Sequence, residues 1–333
     1  MLWSAVAHAA PPRVVTAVVS TEPRHASKAV AAAAVMQRAA ARDPRFTAVD
    51  LDALATRDDA DARAAKAEQA RAAYAQAIDA FNQIEFPTAV ARLAEAIALY
   101  EASDLTRGTF APLTDALAMR AFVLFSNGDV DEARNELKRL FALQLDHPLD
   151  PRRITPEFQA VIDEVRAQVR ALPAAPLTVQ SLPVPALVSI DGVPRGVTPL
   201  TLPRIAGGTH YVTLHATGFK VEQGRHAGGG APAQFKLEST DEGRVLRGKL
   251  EDLKSAVSRK TWGPAGAALA SWGQAEYALV AGIEELDELL HLSAALVARD
   301  GRVVARRSQL FAFGGREAED QVEALTQTLL DAL

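Results

Sequence analysis

The sequence predicts a multidomain α+β protein, and three observations carry that prediction. Both ends of the chain read as mixed strands and helices. Residues 58–145 read as paired long helices. Residues 183–239 read as short strands punctuated by Gly and Pro. The expected architecture is an α/β domain formed by the two chain ends, a helical repeat domain and a small β-sandwich. At 333 residues, two or three domains are expected.

The amino-terminal residues 1–12 read MLWSAVAHAAPP. Ala7-His8-Ala9 followed by Ala10 fits the small-residue pattern of a signal-peptide cleavage site, although no Lys or Arg precedes it. Two readings stand: the remnant of a signal peptide whose start lies upstream, and an Ala-rich terminus without a targeting role. Residues 13–20 (RVVTAVVS) are β-branched and bounded by Pro12 and Pro23, as a buried strand would be. Residues 25–41 carry Val30, Ala33, Ala34 and Met36 at helical spacings, and Asp43-Pro44 stops the helix because Pro cannot donate to its ladder. Residues 46–54 alternate apolar and polar, which predicts a half-buried strand. Residues 13–55 therefore open β-α-β.

Long helices follow. Ala73, Ala77, Ala80 and Phe81 share one face, and a connector at Gln83-Ile84-Glu85 leads to a helix with Ala89, Leu93, Ala96, Ile97 and Tyr100. After a loop at 103–112, a second pair carries Leu117, Ala121 and Leu124, then Ala133, Leu137 and Leu140. Between them, Gly128 suits a left-handed helix end and Asp129 a cap. Small residues where paired helices touch, with bulky ones a turn on, give residues 58–171 a pattern that resembles tetratricopeptide (TPR) repeats. The alternative is a helical bundle with Ala-rich contacts. Thr155-Pro156-Glu157 starts a further helix with Phe158, Val161, Ile162, Val165 and Val169 on one face, suited to covering the open end of a short array. Residues 172–182 are Pro-rich and read as a linker.

Residues 183–239 turn every few residues. Ala186, Val188 and Ile190 alternate onto one face, Asp191-Gly192 makes a tight turn, and Gly196 with Thr198-Pro199 sets a bend before Leu200. After Gly207-Gly208, His210, Val212 and Leu214 share a face opposite Tyr211, Thr213 and His215. Gly218-Phe219 closes the segment, and Phe235 with Leu237 supplies a last strand. The series Pro183, Ala186, Val188, Ile190, Asp191, Gly192, Gly196, Thr198, Pro199, Leu200, Gly208, His210, Val212, Leu214, Gly218 and Phe219 resembles a PEGA domain, a β-sandwich module of bacterial surface and envelope proteins. Pro183-Val184-Pro185-Ala186 stands where the family has Pro-Glu-Gly-Ala. The resemblance implies a non-catalytic module for binding or spacing in the envelope.

Residues 243–333 read α-β-β-β-α. Residues 241–257 and 265–271 are expected as helices, 277–283 and 290–298 as strands, Asp300-Gly301 as a hairpin turn before Val303-Val304, and 319–333 as an amphipathic helix. Ala275-Glu276-Tyr277-Ala278-Leu279-Val280-Ala281-Gly282 and residues 13–55 are similar to the two parts of TolB-like amino-terminal domains. That similarity implies that 13–55 and 243–333 form one discontinuous α/β domain.

The formal net charge of -5 argues against nucleic-acid binding, which needs Lys and Arg to displace counterions from phosphates. The absence of Cys excludes disulfides, thiolate metal sites and Cys nucleophiles. Beyond the amino terminus, no apolar run of about 18 residues suggests a membrane span. His210 and His215 lie five positions apart in one strand, so they face opposite sides about 17 Å apart and cannot share a metal. His147, His226 and His291 have no partner at ligand spacing. The acidic run at 284–288 reads as a solvated hairpin loop. Arg299, Arg302, Arg306 and Arg307 read as a charged strand edge that deters aggregation. Gly228-Gly229-Gly230 lacks the strand-to-helix setting of a phosphate loop. No catalytic, cofactor-binding or metal-ligating residue is singled out, and no cofactor is expected. The expectation is a non-catalytic, exported, periplasmic or envelope-associated scaffold. Its helical repeats would bind protein partners, and a cell-wall component is a second candidate partner. A cytoplasmic TPR-type regulatory scaffold and, further off, an enzyme in the α/β domain are the alternatives.

Overall fold

The computed structural model describes residues 10–286, 289–311 and 315–333. Ala7-His8-Ala9 and, from the acidic run, Asp287 and Glu288 lie outside the described residues. The chain begins with β1 (Arg13–Ser20), α1 (Ala26–Arg42), β2 (Thr47–Val49) and α2 (Leu51–Ala55). Five long helices follow: α3 (Arg57–Asn82), α4 (Phe86–Glu101), α5 (Phe110–Asn127), α6 (Val130–Leu143) and α7 (Pro156–Arg170). Then come β3 (Ala175–Leu182), β4 (Leu187–Ile190), β5 (Val193–Val197), β6 (Leu200–Ile205), β7 (Thr209–His215), β8 (Glu222–Ala227) and β9 (Ala233–Lys236). The chain ends with α8 (Asp241–Arg259), α9 (Trp262–Trp272), β10 (Tyr277–Leu286), β11 (Leu289–Ala298), β12 (Val303–Phe311) and α10 (Gly315–Leu330). This is a mixed α+β protein with three sheets among the described residues. It divides into two units. One comprises Met1–Thr56, Thr217–Phe219 and Glu238–Leu333, the other Arg57–Ala216 and Lys220–Leu237.

The first unit is built on a five-stranded sheet of order β12-β11-β10-β1-β2. β1 runs parallel to β10 and to β2, whereas β10, β11 and β12 form an antiparallel meander. Helices cover both faces, so strand residues of either parity are apolar. Val14, Leu279, Ala281, Ile283, Leu292 and Leu296 pack with α1 and α10 through Met36, Val322, Leu325 and Leu329. Val15, Ala17, Val19, Ala278, Val280 and Val297 pack with α2, α8 and α9 through Leu51, Leu253, Val257 and Leu269. Gly282 lets α8 approach the sheet: a Cβ there would lie 2.2 Å from Val257 Cγ1.

The strand expected over 46–54 is only three residues long. Asp50 ends it by accepting hydrogen bonds from the backbone N–H of Asp52 (2.9 Å) and Ala53 (3.1 Å), which starts α2. Its apolar residues serve the helix, since Leu51 and Ala55, four apart, are both buried. The helix expected at 265–271 begins earlier, at Trp262, and holds Pro264 in its first turn, where a missing N–H costs nothing. The acidic run is not wholly a loop either, because Glu284 and Glu285 belong to β10.

In the second unit each of the helices α3 to α7 packs on the next in sequence. Gly128 adopts φ 92° and ends α5 as expected, but the Asp129 side chain makes no cap bond to α6. Thr155 does cap α7, accepting from Phe158 N–H at 3.3 Å. By length and composition the stretch Leu105–Asn127 is apolar enough to cross a membrane, although Arg107, Asp115 and Arg120 interrupt it. Its Leu113, Leu117 and Ala121 are buried among the neighbouring helices.

The β-rich part of this unit has a three-stranded sheet, β6-β3-β9, and a four-stranded sheet, β5-β4-β7-β8. The segment 172–182, expected as a linker, is mostly strand β3, which pairs antiparallel with β6 and parallel with β9. Leu177 and Val179 are buried. Pro176 falls at an irregularity in the β3–β6 register, where a residue without an N–H is tolerated. Strand β8, EQGRHA, has no apolar alternation to announce it.

Candidate functional site

The β-rich segment uses its polar side chains to hold strands together. Asp191 follows β4 with φ 51°, and Gly192 follows it with φ 75°. The Asp191 carboxylate accepts from Tyr211 N–H at 2.8 Å and pairs with His210 Nδ1 at 2.6 Å. The second His210 nitrogen lies 3.0 Å from the Ala206 carbonyl oxygen. Burial opposes the charged imidazole of His210, but the hydrogen bond and charge of Asp191 raise its pKa above the ordinary 6.5. Thr198 is buried, and its hydroxyl accepts from Ala186 N–H at 2.8 Å.

The other face of β7 meets the helices. Tyr211 belongs to the helical core, and its hydroxyl donates to Glu101 Oε1 at 2.6 Å while accepting from Arg139 at 2.6 Å. Burial, reinforced by the hydrogen bond to Glu101, pushes its pKa well up. Gln223 donates to the Glu101 carbonyl at 2.7 Å. His215 Nε2 lies 3.4 Å from Asp104 Oδ2 and 3.1 Å from Thr106 Oγ1. Burial alone would raise the Asp104 pKa, yet the His215 and Thr106 hydrogen bonds hold it well below the carboxylate range. His210 and His215 thus have separate carboxylate partners.

The remaining residues singled out in the sequence are dispersed. His147 is buried, which lowers its pKa, with Asp115 at 3.5 Å. His226 stacks edge-on with Phe235, their centroids 5.2 Å apart. His291 faces Glu284 across β10 and β11. Arg306 and Arg307 lie on β12, an edge strand, and are exposed. Gly228-Gly229-Gly230 lies between strands β8 and β9.

One cluster escaped the sequence reading. It lies at the carboxyl ends of β1 and β10, where Ser20 pairs in register with Ile283. Ser20 Oγ donates to the Glu22 carbonyl at 2.8 Å and accepts from Glu22 N–H at 3.2 Å, which folds the chain back after β1. Pro23 then opens a short 3-10 turn ending at His25, closed by His25 N–H on the Glu22 carbonyl at 3.0 Å. The turn places Glu22 and His25 together. Glu285, two residues beyond Ile283, completes the group. His25 Nε2 is 2.8 Å from Glu285 Oε2. Arg24 Nη2 lies 2.6 Å from Glu22 Oε2 and 3.2 Å from Glu285 Oε2. Side-chain exposure is 7% for His25, 34% for Glu22, 31% for Glu285 and 63% for Arg24. Among the described residues His25 Nδ1 is buried without a hydrogen-bond partner. The Arg24 hydrogen bond lowers the Glu22 pKa. Glu22, His25 and Glu285 each offer one ligand atom, all within 4.8 Å of one another. The local signal was Glu-x-x-His directly after a β-branched strand. Its third member is 260 residues away, beyond the reach of spacing rules.

Residues 175–224 match the PEGA domain. The match starts with β3, so the segment expected as a linker is largely part of the PEGA module. It covers Asp191, Thr198 and His210, whose side chains tie PEGA strands to one another. Of the PEGA residues, Gly218 and Phe219 group with the first unit. There Gly218 N–H donates to Asp52 at 2.8 Å and Arg247 stacks on the Phe219 ring at 4.6 Å. No curated protein and no solved structure matches the chain.

Proposed function

We propose that this chain is a non-catalytic, exported bacterial envelope scaffold. The PEGA domain at 175–224 is the observation that carries the reading, since it suggests an extracellular or envelope-associated module. The use of its polar side chains supports the same view: Asp191, Thr198 and His210 are engaged with their own strands. In this reading the helices α3–α7 are TPR-like and bind a protein partner, because stacked helix pairs present many side chains from a rigid frame. The PEGA module forms a β-sandwich that docks or spaces that frame near the cell wall.

Fractionation of cells expressing the native gene tests the compartment. The scaffold is expected in the periplasmic or envelope fraction, and recovery only in the cytosol contradicts it. Affinity capture with the full chain from envelope extract is expected to recover a protein partner. Loss of that partner on charge reversal along the exposed face of α3 would support recognition by the helices. Undiminished capture would move recognition elsewhere.

A further inference from the structure

The geometry points to a site for a divalent transition-metal ion formed by Glu22, His25 and Glu285 at the carboxyl ends of β1 and β10. This inference goes beyond the scaffold reading and does not depend on it.

Three independent features converge. The first is the donor set. One imidazole nitrogen and two carboxylate oxygens within 4.8 Å suit borderline ions such as Zn2+ or Co2+. Ca2+ and Mg2+, which favour all-oxygen shells, fit less well. The second is placement. β1 and β10 are adjacent and parallel. β1 leads into α1 on one face of the sheet, while α9, which feeds β10, packs on the other. The cluster therefore sits at the carboxyl ends of two parallel strands, the end of the sheet at which open α/β folds carry their ligands.

The third is the state of the side chains. The His25 ring is held nine-tenths buried with Nε2 directed at Glu285, and its Nδ1 has no partner among the described residues. A group so costly to bury is not fully served by hydrogen bonds among the described residues. The positive charge that the two carboxylates require is supplied by Arg24, which reaches both. Arg24 is the most exposed member of the group, so its guanidinium can swing into solvent without opening a core. It acts as a built-in competitor, occupying the place of the ion until a divalent cation displaces it. Glu22 and Glu285, each about one-third exposed, form the mouth. Water would complete the coordination shell.

The test uses the full chain, freed of metal by chelation and titrated with Co2+ and Zn2+ by calorimetry, with the Co2+ absorption spectrum as a second readout. One saturable site is expected. Glu285→Gln and Glu22→Gln, both at partly exposed positions, should each weaken binding by at least about tenfold. His25→Ala should do the same and remove the nitrogen-ligand signature from the Co2+ spectrum. Arg24→Gln should tighten binding several-fold, because it removes the competitor while leaving all three donors in place. A merely electrostatic acidic patch would also bind more tightly on loss of Arg24, but it would not lose affinity or change its spectrum in His25→Ala. Absence of saturable binding would overturn the proposal. So would affinity unchanged in both carboxamide variants, or weaker binding in Arg24→Gln.

Discussion

Two polar clusters in this molecule look alike on paper and differ in what they are free to do. Around His210 in the PEGA module, both imidazole nitrogens and both Asp191 oxygens have partners within the same fold. Around His25 in the α/β unit, one imidazole nitrogen has no partner among the described residues, and the balancing cation is an arginine 63% exposed to solvent. A histidine with a nearby carboxylate is therefore not informative by itself. Completeness of the hydrogen-bond inventory separates a strand clasp from a group with binding capacity to spare.

Several substitutions would sharpen or break that contrast. The largest effect is expected from Asp191→Ala. It strips a buried histidine and the Tyr211 amide of their partner and places a Cβ-bearing residue without a side-chain acceptor at φ 51°. A loss of about 3 kcal/mol in denaturant unfolding is expected. A loss below about 1 kcal/mol would show that the clasp is dispensable. Thr198→Val keeps the shape but orphans the Ala186 amide, and about 1–2 kcal/mol of destabilisation is expected by the same assay.

The His210 clasp also has a pH signature. Its pKa is raised in the folded state, so its contribution is complete below the unfolded value of 6.5 and fades as pH rises through the folded value. The stability gap between the native chain and His210→Gln should be wider near about pH 5 than near about pH 9. An equal gap at both would remove the charge from the explanation. The smallest effect is expected from Arg24→Gln without metal. Arg24 is exposed, so its ion pairs contribute little, and the unfolding midpoint should stay within experimental error. A marked loss would make Arg24 a structural residue and weaken its role as a displaceable competitor.

Much of the architecture could be read where one physical signal dominated. The alternation of Ala186, Val188 and Ile190, and of Leu292, Ala294 and Leu296, marked strand faces that the structure buries. Asp191-Gly192 marked a turn with two positive φ angles. Reading failed where two signals competed. Proline content argued for a linker over 172–182, but Pro176 sits at an irregularity in strand pairing and Pro183 follows the strand, so neither breaks β3. Alternation argued for a strand over 46–54, but the Asp50 cap won and turned its second half into α2. The candidate cation site was out of reach for a different reason. Glu22 and His25 are local, but Glu285 joins them only because β1 and β10 are neighbours in the sheet.

Thermal unfolding of the native chain and of Glu285→Gln, each with and without saturating Co2+, probes the contrast most directly. An ion bound only by the folded state raises the midpoint in proportion to the logarithm of its concentration over the dissociation constant. If the His25 cluster has capacity to spare, Co2+ raises the midpoint of the native chain clearly more than that of Glu285→Gln at the same concentration. Equal shifts in both proteins, or none in either, would show that this cluster is as fully committed to the fold as the clasp around His210.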